Sequence, residues 1–157
     1  MSTETIISKE PKEVFAEVAN NTLGDWAMML TEDTNSDNLV EDDLASSFIT
    51  SLNLKGPKPG QMHILASKQF ALTLHQNLAG DFAEDVPDEE LMDCLKEMTN
   101  VTAGKLISEV FGETAVYDLT DLSCQNANLD EVRKFLTSGT TIFFLGDDCP
   151  VCFSLSL

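Results

Sequence analysis

Glu17-Val18-Ala19-Asn20-Asn21-Thr22-Leu23-Gly24 and Glu97-Met98-Thr99-Asn100-Val101-Thr102-Ala103-Gly104 share one skeleton, Glu-x-x-Asn-x-Thr-x-Gly, eighty positions apart. Two copies in 157 residues point to an internal duplication, so the fold should contain two related helices doing related work. Around the first copy, Phe15, Val18, Ala19, Thr22, Trp26 and Met29 recur at three- and four-residue steps behind Pro11. That spacing predicts an amphipathic helix over 11–30, with proline tolerated in its first turn. Around the second copy, Leu91, Leu95, Met98, Thr102 and Leu106 form the apolar stripe of a long helix over 88–111.

Between and after these helices the pattern changes period. Phe48, Leu52 and Leu54 fall on one side of an extended segment over 47–55, Gly56-Pro57-Lys58-Pro59-Gly60 reverses the chain, and Met62, Ile64 and Ala66 align over 61–67. This is a hairpin. Phe70, Leu74 and Leu78 suggest a short helix ending at Gly80. The polar stretch Thr31 to Asp43 reads as a loop, Tyr117 to Leu122 as a strand, and Asn128 as the cap of a short helix that ends at Gly139. A second hairpin closes the chain: Thr141 to Leu145 is apolar, Gly146-Asp147-Asp148 turns, and Val151, Phe153, Leu155 and Leu157 alternate with Cys152, Ser154 and Ser156. The expectation is an α+β fold over 1–157 as one domain, an antiparallel sheet packed by two long helices.

A content of 43% apolar residues is enough for a real core. The formal charge of -18 repels phosphate backbones and anionic lipid, which argues against nucleic acid and membranes as partners. No stretch approaches the roughly 20 apolar residues of a membrane-spanning helix, and Met1 to Pro11 lacks the features of a leader, so the reading is cytoplasmic. Cys149-Pro150-Val151-Cys152 has redox spacing, yet too few residues follow it for the helix that lowers a nucleophile's pKa. Cys94, Cys124, His63 and His75 show no zinc-ligand spacing.

At about 100° per residue, Asp93, Glu97 and Asn100 fall on one stripe opposite the apolar face of the long helix. Glu13, Glu17 and Asn20 repeat that arrangement on the first. One turn beyond each Asn stands a glycine, Gly104 and Gly24, although glycine inside a helix costs roughly 1 kcal/mol relative to alanine. Either a partner protein comes close to these bare backbones, or the two helices or the sheet do.

At these residues the chain resembles the CheC/CheX/FliY family of chemotaxis phosphatases. Their signature is Asp or Ser, three residues, Glu, two residues, Asn on a surface helix, and Asp93-Cys94-Leu95-Lys96-Glu97-Met98-Thr99-Asn100 fits it. The resemblance implies a CheC-like fold and hydrolysis of the aspartyl-phosphate of a CheY-like receiver domain. It assigns catalysis to Glu97 and Asn100 and a peripheral partner contact to Asp93; the bare backbone at Gly104 is read as a docking point, and the repeat makes Glu17 and Asn20 a second candidate site. It also implies no metal or cofactor in this chain, because the Mg²⁺ belongs to the receiver. Two departures stand out: no proline occurs over 117–126, where the family commonly has one, and Glu13 replaces Asp or Ser in the first copy.

A non-catalytic receiver-binding module of the same fold is the competing reading, and thiol chemistry at Cys149 and Cys152 is a weaker third. CheX-like relatives dimerise, and the terminal strand Val151 to Leu157 is apolar, so a homodimer through that strand as an exposed edge is also expected.

Overall fold

The structure is a computed structural model that describes residues 11–35, 37, 44–112 and 114–157. The first ten residues and 38–43 lie outside the described residues, and with them the expectations for the N-terminus and for the end of the 31–43 loop.

Strand β2 (Ser47–Lys55) and strand β3 (Gly60–Ser67) form the predicted hairpin, and Ser67 caps helix α2 (Lys68–Ala79) by accepting the Phe70 N–H at 3.0 Å. Gly80 ends α2 at φ 72, a left-handed conformation that glycine adopts without a Cβ penalty. Helix α3 (Asp88–Phe111) runs over the span its periodicity predicts. Helix α4 (Leu129–Thr137) opens on a full capping box: Asn128 accepts from the Glu131 N–H, and the Glu131 carboxylate accepts from the Asn128 N–H. Strand β5 (Thr141–Gly146) and strand β6 (Cys149–Ser156) are joined by Asp147 and Asp148, both at positive φ, as a two-residue hairpin turn requires.

Several expectations change. Helix α1 (Pro11–Asn21) gives way at Thr22–Trp26 to a π-helical turn, in which the Ala27 N–H donates to the carbonyl of Thr22, five residues back. Tertiary ties pull the chain out of the helix here. The Leu30 N–H donates to the Asp147 carboxylate and the Asp147 N–H donates back to the Leu30 carbonyl, both at 2.8 Å. The polar residues that follow are not all loop, because Thr31–Thr34 forms strand β1 against β5. Strand β4 (Asp118–Asn126) is longer than predicted, and it bulges at Asp121, where φ is 56.

The six strands are antiparallel in the order β1-β5-β6-β3-β2-β4. The terminal strand β6 therefore lies inside the sheet between β5 and β3, and the expectation that it offers an exposed edge for self-association is corrected. From Val151 to Ser154 both of its backbone edges are paired. The edges are β1 and β4.

Helices α1, α2 and α3 cover one face, rather than two long helices alone. Phe15, Phe48, Phe70 and Phe153 are fully buried there, with Phe153 edge-on to both Phe15 and Phe144. Gly146 is required by this packing, since a Cβ would lie 2.8 Å from Met29 Sδ and 2.9 Å from the Phe70 ring. On the opposite face α4 seals a smaller cluster of Leu44, Ile49, Leu65, Val132, Phe135 and Cys152. No helix among the described residues is long and apolar enough to cross a membrane.

Candidate functional site on helix α3

Helix α3 starts with Asp88, Glu89 and Glu90, carboxylates that complement the positive end of the helix dipole. Its buried face holds Leu91, Leu95, Met98, Thr99, Thr102, Ala103, Leu106 and Ile107. Two of these are threonines with work to do. Thr99 Oγ1 donates to the Leu95 carbonyl at 2.8 Å, so its only proton is committed. The Thr50 hydroxyl must then be the donor in the 2.7 Å bond between Thr50 Oγ1 and Thr99 Oγ1. This chain of hydrogen bonds pins α3 to β2 one residue before Asn100. The sequence reading passed over Thr99 and Thr50, and the available signal was a threonine on each otherwise apolar face.

Asp93, Glu97, Asn100 and Gly104 are all exposed, on the stripe opposite that face, as predicted. Neither Glu97 nor Asn100 is held by a hydrogen bond or ion pair to another described residue. Asp93 lies 4.0 Å from Lys96 Nζ, an exposed pair of little energetic consequence. A Cβ on Gly104 would meet nothing within 4 Å, nor would one on Gly24. Among the described residues, no other part of the fold comes close to these two glycines.

The first copy keeps part of this design. Thr22 and Thr102 are both fully buried, and each donates to the carbonyl four residues back, Val18 and Met98. The duplicated skeleton thus carries the same internal bond twice. Its outward residues diverge. Asn20 Oδ1 accepts the Thr31 hydroxyl at 2.7 Å, which ties the side chain to β1. Glu17 and Asn20 line an open groove of about 650 Å³ that also includes Asp33, Thr34 and Phe143. Glu97 and Asn100 stand on an open helix surface. Gly24 falls in the π turn, so the spacing that relates Gly104 to Asn100 along a regular helix is not preserved. Trp26 is half-buried at the margin of the core rather than within it.

Thiol chemistry at Cys149 and Cys152 is not supported by the geometry. The two residues are three apart on one strand, so their side chains point to opposite faces of the sheet. Burial pushes the Cys149 thiol up and the Cys152 thiol up to about 12, which disfavours the reactive thiolate. All four cysteines are free. Among the described residues, no three His, Cys, Asp or Glu side chains are gathered as a metal site would need.

The family model described as chemotaxis phosphatase CheX matches residues 48–130, more than half of the chain. This chain belongs to that family. The matched segment contains α3 with Glu97 and Asn100 and leaves α1 with Glu17 and Asn20 outside. Solved structures agree on the CheX/CheC fold. A CheX protein from Borrelia burgdorferi, in a complex with CheY, BeF3 and Mg²⁺, is 15% identical at a TM-score of 0.67, covering 94% of this chain and 97% of its own. CheX from Vibrio vulnificus gives 15% and 0.69 over the same shares of both chains. A CheC-like protein from Shewanella gives 17% and 0.64, covering 99% of this chain and 97% of its own. No curated protein matches the chain in sequence.

Proposed function

We propose that this CheX-family chain hydrolyses the aspartyl-phosphate of a CheY-like receiver domain, with Asn100 positioning the attacking water and Glu97 pairing with the lysine of the receiver's phosphorylation site. The observation that carries the reading is the pair Glu97 and Asn100, exposed one turn apart and uncommitted on a helix that Thr50 and Thr99 hold to the sheet. The CheX relative in complex with CheY supports the choice of partner.

Hydrolysis of an acyl phosphate passes through a loose transition state, so catalysis rests on placing water in line and balancing charge. An amide fits that task. The Asn100 carbonyl oxygen accepts a hydrogen bond from the water while its NH₂ donates one to a phosphoryl oxygen, and neither group titrates. Holding the water in one position removes entropy from the barrier. Glu97 contributes a charged bond to the receiver lysine that orients the complex. Mg²⁺ would be supplied by the receiver and offset phosphoryl charge. Asp93 lies at the rim of the contact, and Gly104 leaves room for the receiver's backbone.

The test is a time course of phosphate loss from phosphorylated receivers of the source organism. Asn100→Ala should lower turnover on the order of a hundredfold while leaving receiver binding intact. Glu97→Ala should weaken association as well as turnover. Binding without any phosphate loss by the wild type would leave an interaction module of the same fold, and undiminished turnover by Asn100→Ala would remove the catalytic assignment.

A further inference from the structure

The face of the sheet turned away from the motif helices carries a polar row that the phosphatase reading does not use. Cross-strand pairing sets Ser51 opposite His63, His63 opposite Ser154, and Ser154 opposite Thr141, so one line of polar side chains crosses β2, β3, β6 and β5. The adjacent row, Ile49, Leu65, Cys152 and Phe143, is apolar and lies under α4. Where α4 stops short of the polar row a cavity of about 300 Å³ opens, at the lower end of the range for small-molecule sites. Glu131, Lys134 and Phe135 of α4 form one wall, and His63, Thr141 and Ser154 contribute from the sheet.

Two features mark it as built for a ligand. Thr141 is only 9% exposed, and its Oγ1 has no hydrogen-bond partner among the described residues. A buried hydroxyl left unpaired carries a desolvation cost, and a valine would have the same shape without it. His63 is held in place by the Ser51 hydroxyl, 2.9 Å from Nδ1. Burial lowers its pKa below 6.5, with Glu131 opposing the shift more weakly, so at neutral pH the ring is uncharged and its Nε2 is left as either a donor or an acceptor.

We propose that this cavity binds an uncharged, hydroxyl-rich small molecule of the size of a monosaccharide or cyclic polyol. The charges of Glu131 and Lys134 cancel across the lining, which favours a neutral guest over an ion. Carboxylate, ammonium, imidazole and hydroxyl groups together offer both donors and acceptors, the pairing that a polyol's hydroxyls require. The Phe135 ring and Ile49 supply an apolar surface for its C–H face. The charge of -18 weighs further against an anion.

The experiment is a two-dimensional NMR titration of the protein with D-glucose, D-ribose and myo-inositol, and separately with glycine and inorganic phosphate. A saturable shift at the His63 ring and the Thr141 and Ser154 amides with at least one polyol is expected. Thr141→Val should weaken that affinity about tenfold without lowering the melting temperature. A response confined to glycine or phosphate would overturn the ligand class, and no saturable response to any probe would overturn the site. Undiminished polyol binding by Thr141→Val would remove the hydroxyl from the proposed site, and a clear loss of stability would show that it serves the fold instead. Receiver dephosphorylation is measured independently, so failure here leaves the Asn100 assignment untouched.

Discussion

Asn20 and Asn100 stand at matching positions of a duplicated motif, and one hydrogen bond separates their prospects. The Asn20 carbonyl oxygen is taken by the Thr31 hydroxyl, while Asn100 keeps its whole amide available. The residues just before them differ as well, Ala19 against Thr99. Thr99→Val should destabilise the protein by about 1–3 kcal/mol because it strands the buried Thr50 hydroxyl. The double variant with Thr50→Val should recover much of that loss, and chemical denaturation of the four proteins in the cycle reads the coupling directly. His63 gives a prediction with a sign. Its folded pKa is lowered, so below its ordinary value of 6.5 the unfolded chain takes up a proton that the folded chain resists. The stability tied to neutral His63 is therefore present above that pH and lost as pH falls beneath it. Melting curves of wild type and His63→Gln from about pH 7.5 to about pH 5 should show the wild type losing ground to the variant; parallel curves would contradict the shift.

At the scale of the helix, the two copies of the motif end differently. Helix α3 continues in regular register for about three more turns past Asn100, whereas α1 widens into a π turn at Thr22, two residues after Asn20. The first site should accordingly be weak or silent. Asn20→Ala is expected to retain most of the turnover that Asn100→Ala loses, and a greater loss from Asn20→Ala would reverse the ranking of the helices. Gly104→Leu tests the docking surface. Its side chain would project into open space, so the melting temperature should hold while receiver binding falls, and normal binding would exclude a close approach at that point. Leucine is a better helix former than glycine, so the melting temperature should stay level or rise by no more than about 1 kcal/mol of stability would give.

For the whole molecule, the sheet order determines where a second copy could add. Strand β6 is enclosed, β1 has only four residues with Glu32 and Asp33 among them, and β4 is the one long edge. Asp118, Asp121 and the bulge guard that edge. Self-association through β4 should strengthen with salt as the repulsion of a -18 chain is screened. Sedimentation across ionic strength measures this, and a monomer at high salt and high concentration would rule it out.

What could be read along the chain was whatever local chemistry decides. The span of α3, the Gly80 stop, the Asn128 cap and the alternation of β2, β3 and β6 depend on residues a few positions apart, and the exposed stripe of Asp93, Glu97 and Asn100 follows from helical periodicity alone. The placement of β6 in the middle of the sheet was invisible, because strand order is set by which distant segments bury each other's apolar faces. The same holds for β1, whose four polar residues become a strand only where β5 offers its edge, and for the exit from α1, which Asp147 fixes from 117 positions away. Asn20 lost its freedom through Thr31 and Asn100 kept it, although the motif around them is the same, since a side chain's availability depends on what the rest of the fold brings within hydrogen-bonding reach.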